Sequence, residues 1–193
     1  MNPWYAKAVV LAASVALVAI RAPHGHRSRT VPVVKSRKGT LEIVLLTIMW
    51  AAFFLPLLWA LSPLLSFADY PLHPAALAGG AVLLALGLWL FHRSHVDLGT
   101  MWSITLEVRE GHRLVTHGLY RLVRHPMYLA LFLYALGMGL AVPNWIAGPT
   151  YGLAMILLVG LRLGPEEQLM REEFGEEYEA YARTTKRLIP GVW

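Results

Sequence analysis

Long apolar runs alternate with short polar segments along the chain. Five runs approach the length of about 20 residues that a membrane-crossing helix needs. They cover roughly residues 3–21, 42–66, 74–92, 127–143 and 145–163. The second contains Pro56 and Pro63, which a membrane helix carries as kinks where neighbouring helices shelter the freed backbone groups. The third follows His73-Pro74 and holds Gly79, Gly80 and Gly87, small residues that let helices approach closely. Only Val142-Pro143-Asn144-Trp145 separates the last two, which predicts a tight antiparallel hairpin. Residues 8–20 also have the character of a signal-peptide core, but the basic run follows them and only Lys7 precedes them. A retained span is the expectation.

Two polar segments interrupt or follow the spans. Segment 93–126 contains short alternating stretches, Ile104–Val108 and Arg113–Thr116, around Glu110-Gly111, and these predict a small surface hairpin. From Gly164 the tail reads as an amphipathic helix, with Leu169, Phe174, Tyr178 and Tyr181 near helical spacing. Acids crowd its early turns and bases its end, as the helix dipole favours. The expected architecture is all-α: a single integral membrane domain over residues 1–193, with five transmembrane helices, a segment at 93–126 and a C-terminal amphipathic helix.

Composition strengthens the membrane reading. Hydrophobic residues make up 56% of the 193 and charged residues only 15%, against about a quarter charged in soluble domains. Lys and Arg are confined to alternate loops: Arg21, Arg27, Arg29, Lys35, Arg37 and Lys38 in the first, Arg93, Arg109, Arg113, Arg121 and Arg124 in the third. The tail carries Arg162, Arg171, Arg183, Lys186 and Arg187, and Lys7 alone lies on the other side. The positive-inside rule then predicts an outside N-terminus and a cytoplasmic C-terminus, with segments 93–126 and 164–193 cytoplasmic. The net charge of +5 follows from this topology and gives no reason to expect a nucleic-acid partner. With no cysteine, disulfides, thiolate metal sites and a cysteine nucleophile are excluded.

Candidate chemistry collects at the boundary of the fourth span. Gly118-Leu119-Tyr120-Arg121-Leu122-Val123-Arg124-His125-Pro126-Met127-Tyr128 leads into it, and Pro126 suits a first helical turn. Arg124 and His125 would stand beside free backbone N–H groups that favour an anion, such as a cofactor carboxylate. The same residues also suit an ordinary headgroup anchor with Tyr128 in an aromatic belt. At the end of the last span, Arg162 and Glu166 are four apart and share a helix face. They suit either the acidic head of a lipid-embedded substrate or a snorkelling arginine with a surface ion pair. His24-Gly25-His26 and His92…His95 lack accompanying carboxylates, so no metal is expected. Neither a dinucleotide nor a phosphate loop is present.

From about His95 to the C-terminus the chain resembles the isoprenylcysteine carboxyl methyltransferase family and its phospholipid-methyltransferase relatives. The resemblance rests on Asp97-Leu98-Gly99, Trp102-Ser103, Gly111-His112-Arg113-Leu114-Val115, Gly118-Leu119-Tyr120-Arg121 and Arg124-His125-Pro126-Met127-Tyr128. It continues through Glu166-Glu167, Glu173-Phe174-Gly175, Tyr178, Tyr181 and Arg187-Leu188-Ile189-Pro190. It implies S-adenosylmethionine entering from the cytosol and a prenylated or other lipophilic substrate from the bilayer, with membrane lipid around both. By the family's pattern Leu114, Val115, Gly118 and Tyr120 look like part of a cofactor cradle. Arg124 joins that expectation from its place at the helix entrance; His125, Pro126, Met127 and Tyr128 continue the cradle, and Glu167 stands opposite. Arg162 and Glu166 look like the catalytic pair, Arg162 holding a substrate carboxylate and Glu166 fixing the arginine. An amine substrate would instead use Glu166 as proton acceptor. A nicotinamide-dependent sterol-type reductase and a non-enzymatic lipid-binding module are the competing readings. The first predicts NADPH binding, and the second predicts indifference to loss of Arg162 and Glu166.

Overall fold

The computed structural model describes residues 2–28, 32–36, 39–101, 105, 107–109, 111 and 113–193, with backbone alone at 27–28, 35–36, 100 and 107–109. Apolar runs become helices because no water is available in a bilayer to satisfy an open backbone. They form α1 (Trp4–Ser28), α2 (Thr40–Leu61), α3 (Pro74–Leu98), α4 (Pro126–Ala141) and α5 (Ala147–Phe174), and the tail adds α6 (Glu176–Thr184). Four of these, α1, α2, α3 and α5, are long and apolar enough to cross a membrane, whereas α4 has only 16 residues. In α1, α2 and α3 only 28% of the most apolar window is buried within the protein. Ile43, Val44, Trp50 and Phe54 on α2 and Leu153, Ile156 and Leu157 on α5 point outward. Such an outer surface is made for lipid rather than water.

The helices pack in alternating directions. Its closest pair is α3 with α4, and the reason is glycine. A Cβ on Gly87 would lie 2.8 Å from the Tyr134 nitrogen and 2.9 Å from the Ala130 oxygen, and one on Gly80 2.9 Å from the Gly137 oxygen. Gly79 meets only Leu140 at 3.8 Å, an ordinary contact, so the close approach uses two of the three glycines expected to permit it. At one end the predicted turn does close. Asn144 accepts from the Ile146 and Ala147 N–H groups at 3.0 and 2.8 Å, capping α5. Its amide donates to Asp69 Oδ1 at 2.7 Å, which ties the α4–α5 turn to the α2–α3 connection.

Several expected boundaries move. α2 ends at Leu61, so Pro56 lies inside it and Pro63 beyond it. α1 and α3 run past their apolar stretches, to Ser28 and Leu98. The tail is not one amphipathic helix: α5 carries the last span straight on to Phe174, and Gly175, at φ +51°, breaks it before α6. The predicted hairpin is also replaced. Strand β1 (Val33–Ser36) pairs antiparallel with β2 (Glu107–Arg109), joining the first loop to the third, while 113–116 has no regular structure. Ile104, Leu106 and Glu110 of that expectation, and Trp102-Ser103 and His112 of the family pattern, lie outside the described residues.

Candidate active site

The loop before α4 is suspended from two fixed points. Gly118 adopts φ +59°, and a Cβ there would fall 2.3 Å from Asp97 Oδ2. Only glycine admits that approach. Asp97, itself 3.1 Å from Arg93, accepts from the Leu119 N–H at 2.9 Å and so holds the 3-10 turn Gly118–Arg121 to the end of α3. The second fixed point is the tail. Arg124 N–H donates to the Lys186 carbonyl at 2.7 Å and His125 N–H to that of Arg187 at 3.0 Å. Tyr181 donates its hydroxyl to the Tyr120 carbonyl. Pro126 then opens α4.

Glu167 organises the charges behind this loop. Fully buried, it accepts from Arg124 Nε at 3.0 Å and Nη2 at 2.7 Å, and from Arg187 Nη2 at 3.0 Å. Arg171 lies 3.5 Å from it and His125 Nε2 3.4 Å. The remaining nitrogen of Arg124, Nη1, donates to the carbonyls of Ala182, at 3.1 Å, and Thr185. Arg124, which sequence offered as a receptor for a ligand anion, therefore spends its donors on the protein. It locks the tail to the loop.

A cavity of about 250 Å³ lies in front of these groups. Leu114, Val115, Tyr120, His125, Met127 and Tyr128 line it from the loop and α4, and Arg162 and Glu166 from α5. Arg124 also borders it, whereas Gly118, Pro126 and Glu167 do not. Those three shape the wall from behind. Toward the bilayer the lining becomes Leu17, Met49, Trp50 and Phe53, so the space has a polar end and an apolar end.

Arg162 sits where the two ends meet. Its Nη1 is 3.3 Å from Glu42 Oε1, its Nε 3.4 Å from Glu166 Oε2, and it is almost wholly buried. Tyr128 donates its hydroxyl to the same Glu166 oxygen, and His125 Nδ1 lies 3.6 Å from the other. The imidazole is thus held between two carboxylates. Burial alone would lower its pKa, but hydrogen bonds and charge from Glu166 and Glu167 outweigh that and raise it. Burial pushes the Tyr120 phenol well above its usual range and Tyr178 up to about 12, keeping both neutral. The Tyr178 hydroxyl is buried and has no hydrogen-bond partner among the described residues.

Sequence reasoning missed Glu42, Arg21, Tyr178 and Tyr181 as parts of this site. Glu42 was legible as an acid opening an apolar run. In sequence Arg21 reads as part of the basic loop after the first apolar run, yet α1 carries it on into the cavity lining. Among the described residues no three His, Asp or Glu side chains gather in a way that could hold a metal.

The fold and site define a helical membrane protein with a cavity spanning a charged interface and an apolar interior. Residues 79–172, a little under half of the chain, match the model of the isoprenylcysteine carboxyl methyltransferase (ICMT) family. It is 30% identical over 115 residues to the "Probable protein-S-isoprenylcysteine O-methyltransferase" of Oryza sativa subsp. indica, covering 58% of this chain and 60% of that protein. With "Protein-S-isoprenylcysteine O-methyltransferase A" of Arabidopsis thaliana it shares 27% identity over 156 residues, 79% of each chain. The solved structure of the eukaryotic intramembrane Ras methyltransferase ICMT superposes with TM-score 0.52 at 25% identity. That match covers 82% of this chain and 55% of the other.

Proposed function

We propose that this chain is an S-adenosylmethionine-dependent methyltransferase that esterifies the carboxylate of a lipophilic, prenylcysteine-type substrate at the cytoplasmic face of a membrane. In this reading α4 is a fifth, short span, and the N-terminus lies outside. The observation that carries it is Arg162, braced by Glu42 and Glu166 where the polar and apolar ends of one cavity meet. A lipid tail in the apolar end would bring an acidic head to this guanidinium, and Arg21 adds a second one to the same lining. Paired hydrogen bonds from arginine suit a carboxylate.

The polar end fits a nucleoside-bearing sulfonium donor. The unpartnered Tyr178 hydroxyl is available to a ribose or base atom, and Leu114 and Val115 offer apolar side chains on an irregular backbone. Glu166 and the tyrosine rings suit a positive sulfur. When bound, the donor supplies a methyl group for direct displacement, giving a methyl ester and a neutral thioether. The protein's part is to align the carboxylate and exclude water. Glu166 already accepts from Arg162 and Tyr128 with His125 alongside, an arrangement for orienting rather than for taking a proton. That favours carboxylate over amine methylation.

The test is calorimetric titration of the purified protein with S-adenosylhomocysteine, beside Leu114→Trp, which fills the cradle. Micromolar binding lost in the variant is expected. No binding by folded wild-type protein would contradict the donor assignment and turn attention to NADPH.

A further inference from the structure

At the end of the bundle away from this site, a second cavity of about 280 Å³ opens between the start of α1 and the end of α2. Lys7, Asp69, Trp59, Trp4, Ser62 and Ser66 line it. The Lys7 ammonium stands 5.4 Å from the Trp4 ring centroid and 5.8 Å from that of Trp59. Asp69 Oδ1 accepts from Trp59 Nε1 at 2.8 Å and from Asn144 Nδ2 at 2.7 Å, so the carboxylate is fixed in place. Lys7 and Asp69 therefore share one cavity, each held by its own neighbours, and among the described residues they form no ion pair with each other. An unpaired cation and anion facing one space call for a ligand that carries both charges.

The surroundings say where such a ligand comes from. Trp4, Phe67 and Trp145 are 69%, 78% and 73% exposed and gather at this same end with Tyr5 and Tyr70. Aromatic residues grouped this way mark the headgroup level of a bilayer. Lys7 is also the basic residue that departs from the loop pattern of charge. We propose that this cavity binds a zwitterionic phosphoethanolamine headgroup, with its phosphate on Lys7 and the serine hydroxyls and its ammonium on Asp69. The site belongs to the membrane leaflet opposite the methyl-transfer cavity and does not depend on that cavity's chemistry.

Native mass spectrometry of the detergent-purified full chain tests this, with phosphatidylethanolamine and phosphatidylglycerol added separately and soluble phosphoethanolamine as competitor. Phosphatidylethanolamine is expected to bind in preference to phosphatidylglycerol. Lys7→Gln should weaken it about tenfold or more, as loss of a charged hydrogen bond does, and Lys7→Arg should restore it. Asp69→Asn, which keeps an acceptor for Trp59, should abolish the preference between the two lipids. Competition by phosphoethanolamine would identify the free ester as sufficient, and lipid binding without competition would assign the intact lipid. Equal binding of both lipids by wild type, or phosphatidylethanolamine binding unchanged in a monodisperse Lys7→Gln protein, would overturn the proposal.

Discussion

Glu167 and His125 show how much of the site's order rests on single buried groups. Removing one partner of a buried ion pair strands the other, at a cost of about 3–5 kcal/mol. Glu167→Gln, which leaves Arg124 and Arg187 facing a neutral amide, is accordingly expected to lower the unfolding temperature sharply. Combined with Arg124→Ala the loss should be less than the sum of the two, because they share one interaction. His125 gives a pH dependence with a definite sign. The folded site binds its proton more tightly than the unfolded chain, where an imidazole titrates near about pH 6.5. Its stabilisation is therefore whole below that pH and lost as pH rises through the higher folded value. Thermal unfolding scanned upward from about pH 6 should show this decline, and His125→Asn should flatten it. His125 is legible in sequence at the start of an apolar run, whereas Glu167 enters only through the family pattern. Spacing says nothing, however, of the tail carbonyls of Ala182 and Thr185 that accept from Arg124.

Elements explain the rest of that difference. The long apolar helices were legible because an apolar run in lipid satisfies its backbone within the helix. A close helix approach was legible because α3 carries small residues, although the sequence does not name α4 as the partner. Gly87→Leu should force the two backbones apart at Tyr134, and size-exclusion chromatography is expected to show aggregated or unfolded protein. Gly79→Ala, meeting only a side chain at ordinary distance, should remain monodisperse. Less legible were the ends. The β1–β2 pairing joins segments more than seventy residues apart with three- and four-residue strands, too short for a period to declare itself. The break at Gly175 was hidden because apolar spacing continues across it from Leu169 to Tyr181. A positive φ at one glycine, not a change of pattern, turns the chain there.

Charge in the molecule is concentrated at the end that holds Arg162 and Glu167, while the far end carries Lys7 and Asp69, an asymmetry that suits a protein built across a bilayer. Its lack of cysteine makes orientation directly measurable. A membrane-impermeant maleimide should label Ser66→Cys in intact cells and His117→Cys only after permeabilisation; the reverse order would contradict the proposed topology. In the proposed reaction Arg162 receives a carboxylate from the bilayer side of one cavity. The most direct measurement is transfer of radiolabelled methyl from S-adenosylmethionine to a prenylated cysteine in reconstituted bilayers, followed by alkali treatment to release esters as methanol. Alkali-labile label from wild type, reduced about a hundredfold or more in a folded Arg162→Gln variant by misplacement of the nucleophile, is the expected result. Label that resists alkali, or an Arg162→Gln rate equal to wild type, would contradict it.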